Sequence, residues 1–296
     1  MYSWKDKKVL VTGAGGFIGS HLTEELVSLG AQVTCFIRYT STENIGNLEY
    51  LSNEMRKEIK IINGNLEDQN SVRSACIGKD VVFHLGALIG VPYSFVHPQE
   101  VIRTNSIGTL NILHAAKEEK VSKLIITSTS EVYGSANYVP IDEKHPLQAQ
   151  SPYAASKIAA DKFAESYFKS YKLPVSIIRP FNTYGPRQTP RAVIPTIIMQ
   201  CMIKDEIIVG TTTTTRDFTF VIDTIQGFIK VAESEKAIGE IINVGSNSEI
   251  AISDLIKKIA SIIGRDVRIV TDQKRFRPNA SEVLRLWADN TKAKEI

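Results

Sequence analysis

Lys8-Val9-Leu10-Val11-Thr12-Gly13-Ala14-Gly15-Gly16-Phe17-Ile18-Gly19 decides the fold. A short apolar strand runs into a glycine turn, and the amphipathic pattern beyond it predicts a helix through about Leu29. Strand, glycine turn and helix together form the setting of a dinucleotide-binding fingerprint. Gly13 permits the tight turn, Gly16 lets a pyrophosphate approach the backbone, and Gly19 allows close helix–strand packing. The start of the helix then offers free N–H groups and the positive end of its dipole to phosphates.

Working outward, a second strand over 32–37 ends at Arg38, followed by Tyr39, Thr40 and Ser41. A carboxylate at this distance would hold a ribose 2′-hydroxyl; a guanidinium beside hydroxyls suits a 2′-phosphate, which favours NADP over NAD. The alternatives for Arg38 are a solvent-facing side chain or one stacked on adenine. Residues 60–68 predict a third strand with a turn at its carboxyl end. Residues 80–87 predict a fourth, ending in small residues that let a cofactor pass closely. His84 lies within that apolar strand and reads as a core histidine. A helix over 105–119 leads to a fifth strand, Lys123-Leu124-Ile125-Ile126, and a sixth covers 175–179. Nearly continuous apolar strands alternating with helices predict an α/β fold, a Rossmann-type doubly wound parallel sheet covered on both faces. Ligands of such sheets bind beyond the carboxyl ends of the strands.

The fifth strand breaks into Thr127-Ser128-Thr129-Ser130-Glu131-Val132-Tyr133-Gly134, and Ser151-Pro152-Tyr153-Ala154-Ala155-Ser156-Lys157 then opens a helix to about Tyr171. Ser151 is a natural N-cap and Pro152 suits the first turn. Tyr153 and Lys157 are therefore stacked one turn apart. A phenol beside a fixed ammonium is easier to ionise, which makes Tyr153 a candidate base for removing a proton from a sugar or alcohol hydroxyl.

In the last third, helices are expected over 194–203, up to about Ser234, and over 253–263 with Ser253 as N-cap; a strand is expected over 240–245. Thr211 to Thr215 reads as a loop or strand edge. The basic segment 274–278 could pair with a diphosphate or be a solvated loop. The expected organisation is a dinucleotide-binding unit over 1–180 that also receives 216–245. Residues 181–296 mainly form a smaller substrate-binding lobe that is not an independent domain.

Composition sets outer limits. The 296 residues are 43% hydrophobic and 23% charged, ordinary for a soluble globular protein. A net charge of +3, spread along the chain, argues against nucleic acid or an anionic membrane as partner. Cys35, Cys76 and Cys201 lack metal-ligand spacing and read as reduced, buried thiols; no metal is expected. With no apolar run of membrane-spanning length and a start that leads straight into a strand, the expected location is cytoplasmic.

These motifs, together with Arg179-Pro180-Phe181-Asn182-Thr183-Tyr184-Gly185-Pro186 and Arg216-Asp217-Phe218, resemble the extended short-chain dehydrogenase/reductases of the nucleotide-sugar epimerase/dehydratase family over essentially the whole chain. Arg38-Tyr39-x-Ser41, residues 139–147, residues 187–196 and Arg277-Pro278-x-x-Ser281-Glu282-Val283 are similar to the 4,6-dehydratases of the legionaminic-acid pathway. Relatives continue with another helical stretch where this sequence stops at Ile296.

The resemblance implies a nucleotide-sugar 4,6-dehydratase acting on a UDP- or GDP-hexose or N-acetylhexosamine, with a tightly bound, recycled NADP or NAD and a homodimeric assembly. It implies that Tyr153 takes the C4 hydroxyl proton, that Lys157 lowers the Tyr153 pKa and holds the nicotinamide ribose, and that Thr129 aligns the hydroxyl. Glu131 would take the C5 proton, while Ser130 would orient a water or relay a proton. Phe17, Ile18, Asn65, Leu66, Leu85, Gly86, Ala87, Asn105, Thr127 and Pro180 would line the cofactor beside the glycines and Arg38. Asn182, Arg216 and Arg277 would hold the diphosphate, and Val193 would approach the nucleotide.

Three other readings compete. A uridine-diphosphate-glucuronate-type decarboxylase needs an extra cationic partner, which the sequence alone does not identify. A 4-epimerase would leave Glu131 idle. A cofactor-sensing binding protein would have no use for Thr129, Tyr153 and Lys157 together.

Overall fold

A computed structural model describes residues 2–296. Seven parallel strands form one sheet: β1 Lys8–Thr12, β2 Gln32–Arg38, β3 Lys60–Gly64, β4 Val81–His84, β5 Lys123–Thr127, β6 Val175–Pro180 and, at the far edge, Ile241–Val244. Their spatial order is β3-β2-β1-β4-β5-β6 followed by Ile241–Val244. The order reverses between β1 and β4, which opens a crevice at the carboxyl ends of the strands.

Side chains that alternate along β1, β4 and β5 bury both faces, whereas the edge strand β3 is mostly exposed. Val9, Val11, Phe83 and Ile125 pack with Leu22 and Leu26 of the helix Phe17–Ser28 and with Phe228 and Ile229 of Val221–Glu233. Leu10, Val82, Leu124 and Ile126 face Val72, Ile112, Leu113 and Ala164 on the opposite side. Burial on both faces is why these strands are apolar throughout rather than alternating with polar residues.

The remaining chain forms a second cluster around Ile197, Ile207, Ile252, Ile256 and Ile259, built on the helices Val193–Ile203 and Ile252–Ile263. Two short parallel strands, Glu206–Val209 and Arg268–Thr271, lie against it. Thr215–Arg216 pairs with Ile250–Ala251 and Arg285–Leu286, and Asn182–Tyr184 pairs with Phe218–Phe220. These short pairings carry Asn182 and Arg216 directly off the end of the main sheet.

Two local expectations are corrected. Ser253 is not a cap: the helix begins at Ile252, because Ile250–Ala251 leads straight into it with no side-chain cap. The stretch from 105 to 119 is not one regular helix. Arg103–Ile107 is a π turn that continues into the α-helix Gly108–Glu118. All three cysteines are free and buried. Among the described residues, no helix is long and apolar enough to cross a membrane.

Candidate active site

At the head of β1, Gly13 has a φ of +70°, and a Cβ there would come within 2.7 Å of the Gly86 backbone nitrogen. A Cβ on Gly19 would lie 2.2 Å from the Gly13 carbonyl oxygen, so only glycine permits the helix to approach this closely. Gly16 differs: a Cβ there would meet only the Gly13 carbonyl oxygen, at 3.1 Å, and its outer side is open. Gly16 caps the helix without a side-chain bond, so the first-turn N–H groups around Phe17 and Ile18 are free for a phosphate.

The other expected cofactor residues separate into two groups. Gly86 donates to Thr12 Oγ1 at 3.1 Å and lies against the Leu66 side chain, while Leu85 donates to the Thr12 carbonyl at 3.1 Å; Ala87 is the next residue of this loop. Asn65 shapes the turn after β3, accepting from the Glu67 N–H at 3.0 Å. Thr127 and Pro180 end β5 and β6. Asn105 behaves differently. Its buried amide accepts from Leu88 N–H at 2.7 Å and donates to the Leu88 carbonyl and to Ser156 Oγ, so it holds the loop after β4. Arg38 is also apart: its side chain is 76% exposed and 3.9 Å from Glu100.

The catalytic candidates converge. Thr129 caps the 3₁₀ turn Ser130–Tyr133 and accepts from Glu131 N–H at 3.2 Å, which fixes Glu131 beside it. Ser151 caps Pro152–Tyr171, accepting from Ala154 N–H at 3.1 Å, and this turns Tyr153 and Lys157 inward, 7% and 3% exposed. Lys157 Nζ donates to the Thr127 carbonyl at 2.5 Å. Burial brings the Lys157 pKa down to about 8, with Asp161 opposing. The Tyr153 phenol is raised, against expectation. Burial is the main cause, Thr129 pulls it down through a hydrogen bond, and Glu131 and Asp161 raise it further. The Lys157 ammonium uses one of its three donors on the strand carbonyl, which leaves two for a ligand.

Across the crevice, Arg277 Nη1 donates to Glu131 Oε2 at 3.2 Å, and Arg216 Nη2 lies 3.8 Å from Glu282 Oε1. Asn182 Oδ1 is buried without a partner, and Val193 begins its helix half-buried. Arg277 belongs to the basic segment; the Lys274 side chain lies outside the described residues. Ser130 is buried in the turn.

Sequence reading missed several groups. Ser128 Oγ is buried without a protein partner, and so is Oγ1 of Thr127, a residue already expected to line the cofactor; the run of hydroxyls was the signal for Ser128. Arg179 donates through Nε and Nη2 to Asp161 Oδ2 at 3.1 and 2.8 Å and through Nη1 to Tyr133 Oη at 2.9 Å; Tyr133 donates to Asn243 Oδ1 at 2.7 Å. An arginine inside the apolar strand β6 was the available signal, since a buried charge requires a partner.

An open glycine turn, unpartnered buried hydroxyls and a buried Tyr–Lys pair fit a nicotinamide dinucleotide, and this fold and site define a short-chain dehydrogenase/reductase. Comparison with known proteins gives the family. The profile described as GDP-mannose 4,6 dehydratase matches residues 10–296. The bovine (Bos taurus) dTDP-D-glucose 4,6-dehydratase is 37% identical over 267 residues, covering 87% of this chain and 73% of its own. The UDP-N-acetyl-alpha-D-glucosaminuronate decarboxylase of Bacillus cytotoxicus is 37% identical over 301 residues, covering 98% and 91%. Among solved structures, DesIV, a dTDP-glucose 4,6-dehydratase from Streptomyces venezuelae with NAD and TYD bound, superposes with a TM-score of 0.86 at 29% identity, covering 97% of this chain and 89% of that one. The chain belongs to the extended short-chain dehydrogenase/reductases that act as nucleotide-sugar dehydratases, epimerases and decarboxylases.

Proposed function

We propose that the protein is a nucleotide-sugar 4,6-dehydratase that converts a UDP- or GDP-hexose or N-acetylhexosamine to its 4-keto-6-deoxy form. The observation that carries this reading is Glu131, a carboxylate held on the turn whose Thr129 hydroxyl also bonds the Tyr153 phenol. Oxidation at C4 alone needs no such base. In this reading residues 1–180 with 216–245 bind the dinucleotide and the rest of 181–296 forms the substrate lobe. Similarity to legionaminic-pathway dehydratases supports the substrate class.

When bound, a nicotinamide would supply the hydride acceptor for C4 and the hydride donor for C6. Tyr153 takes the C4 hydroxyl proton while Thr129 keeps that hydroxyl aligned. Lys157 holds the nicotinamide ribose. Once C4 is a ketone the C5 proton is acidic, and Glu131 removes it; hydroxide leaves C6 and departs as water with the proton that Tyr153 took from C4, passed on by Ser130 or by a water that Ser130 orients. Glu131 returns its proton to C5. No net oxidation results, so the cofactor stays bound. Arg38 favours NADP. Free buried thiols suit the cytoplasm, and recovery of the protein outside it would refute that placement.

Glu131→Gln keeps the shape and removes the base. It should oxidise C4 and stall, with reduced nicotinamide accumulating and water loss slowed about 10²–10⁴-fold, followed by absorbance and mass spectrometry in a single turnover. Elimination at the wild-type rate would refute the assignment.

One observation favours a second reading. The cation that the sequence did not identify stands against the candidate base as Arg277, as decarboxylation of a hexuronate would require. Incubation with nucleotide hexoses and hexuronates decides, by loss of water or of carbon dioxide.

Ile102 and Ile107, exposed where the segment 98–107 packs beside Pro152–Tyr171, support a homodimer. Light scattering should give twice the chain mass, and a monomer would remove the claim.

A further inference from the structure

Both arginines expected to hold the substrate's diphosphate are paired with carboxylates, and one of those carboxylates is the candidate base itself. Arg277 donates to Glu131 at 3.2 Å and Arg216 faces Glu282 at 3.8 Å. The four groups form one cluster. Arg216 is held below its ordinary pKa by burial, with Glu131 and Glu282 opposing and Arg277 adding to the effect. The cluster carries two positive and two negative charges, so it has no surplus charge for an arriving diphosphate. Phosphate oxygens accept from guanidinium in the same forked geometry as a carboxylate and carry more charge, so they can take over either arginine. Arg277 is the freer of the two. Its side chain is 26% exposed, against 9% for Arg216, and it lies between the short 3₁₀ turns Gln273–Arg275 and Asn279–Ser281.

We infer that the substrate's diphosphate releases the base: it draws Arg277 away from Glu131 by exchange of partners, so that Glu131 can accept a proton only once a nucleoside diphosphate is seated. Arg277 is thus a positioning residue as well as an anchor. This rests on the reading of Glu131 as the C5 base. It restricts turnover to nucleoside-diphosphate sugars, because a free sugar entering the same crevice leaves Glu131 tied. It also protects the free enzyme, since a bare carboxylate beside a bound nicotinamide would otherwise stay exposed to adventitious ligands.

The exchange can be read without turnover. Carbodiimide-driven coupling of a small amine to carboxylates, quantified peptide by peptide, reports how freely each one reacts. Glu249, paired with Arg285 in the lobe, serves as internal reference, so that reagent consumed by phosphate cancels in the ratio. In the wild type, the Glu131/Glu249 ratio should rise several-fold on adding uridine or guanosine diphosphate. In Arg277→Gln it should already be high without nucleotide and change little when nucleotide is added. A wild-type ratio that moves with neither nucleotide overturns the inference, as does an Arg277→Gln protein whose Glu131 reacts as slowly as the wild type. The wild-type comparison needs no variant to fold. Because no catalysis is measured, failure here leaves the dehydratase reading to the Glu131→Gln stall, and failure of that stall leaves this result intact.

Discussion

Beneath the cofactor edge, Thr12, His84, Thr109 and Asn105 form a buried chain in which each polar group finds its partner inside the protein. His84 Nδ1 lies 2.7 Å from Thr12 Oγ1 and His84 Nε2 lies 3.0 Å from Thr109 Oγ1; Thr109 donates to the Asn105 carbonyl at 2.6 Å, and Asn105 reaches Ser156 on the catalytic helix. Across the crevice, Glu131, Arg277, Arg216 and Glu282 hold one another in ion pairs that open toward the site. The first arrangement fixes geometry before any ligand arrives, because breaking a buried contact leaves an unsatisfied group in a dry interior. On the exchange inferred above, the second can be dismantled at little cost, because a phosphate would replace what it removes. A hydride-transfer geometry must be ready-made, whereas a diphosphate grip must be able to let go.

Acid offers the largest test of that contrast. Burial, with Lys157 adding to it, lowers the His84 pKa to about 3 from 6.5. The unfolded chain takes up this proton near 6.5 and the folded chain only near 3. The folded state therefore loses stability as the pH falls through that window, by up to roughly 5 kcal/mol. Unfolding curves measured across the window should show this slope, and His84→Gln should flatten it. An equally steep slope in the variant would mean that other groups carry the acid sensitivity and that the chain is not as closed as described.

A somewhat smaller effect is expected at the buried pair behind the site. Arg179→Met removes the partner of Asp161, whose side chain is 0% exposed, and should cost about 3–5 kcal/mol in urea unfolding. A cost within the range of a surface pair, about 0–1 kcal/mol, would erase the distinction between the two regions. The smallest effect sharpens it. Arg38 stands on the cofactor side but is built like the opposite side, exposed and loosely paired with Glu100. Arg38→Ala should weaken NADP binding about tenfold, ~1.4 kcal/mol, and leave NAD binding unchanged. Equal affinities for NADP before and after the substitution would show that Arg38 does not contact the 2′-phosphate.

The closed region was the more legible of the two. Strand periodicity, the glycine turn and the Ser151-Pro152 helix start are local signals, and β1 to β6 and Pro152–Tyr171 fall where they indicate. His84 read as a core residue and is one. What escaped the sequence was pairing at a distance. Nothing near Glu131 announces Arg277, 146 residues away, and nothing near Tyr133 announces Asn243, 110 residues away. The short helices Asn53–Glu58 and Gln69–Cys76 were missed because each is mostly polar and too short for its pattern to stand out from a loop. The π turn escaped because one extra residue within a helix leaves no compositional mark. The Tyr153 phenol was misjudged because i, i+4 spacing says that two side chains are neighbours, not how deeply the phenol is buried.

The strand order also dictates a sequence of events during synthesis. One side of β6 pairs with β5, but the other pairs only with Ile241–Val244. A chain emerging from the ribosome must therefore complete Asn182–Tyr184, the helix Val193–Ile203 and Val221–Glu233 before that edge can close. Until then β6 presents a bare, apolar edge, the kind of surface on which unfinished chains stick together. The last strand of the sheet is thus a checkpoint: the sheet cannot seal its edge until the chain through the helix Val221–Glu233 has been made.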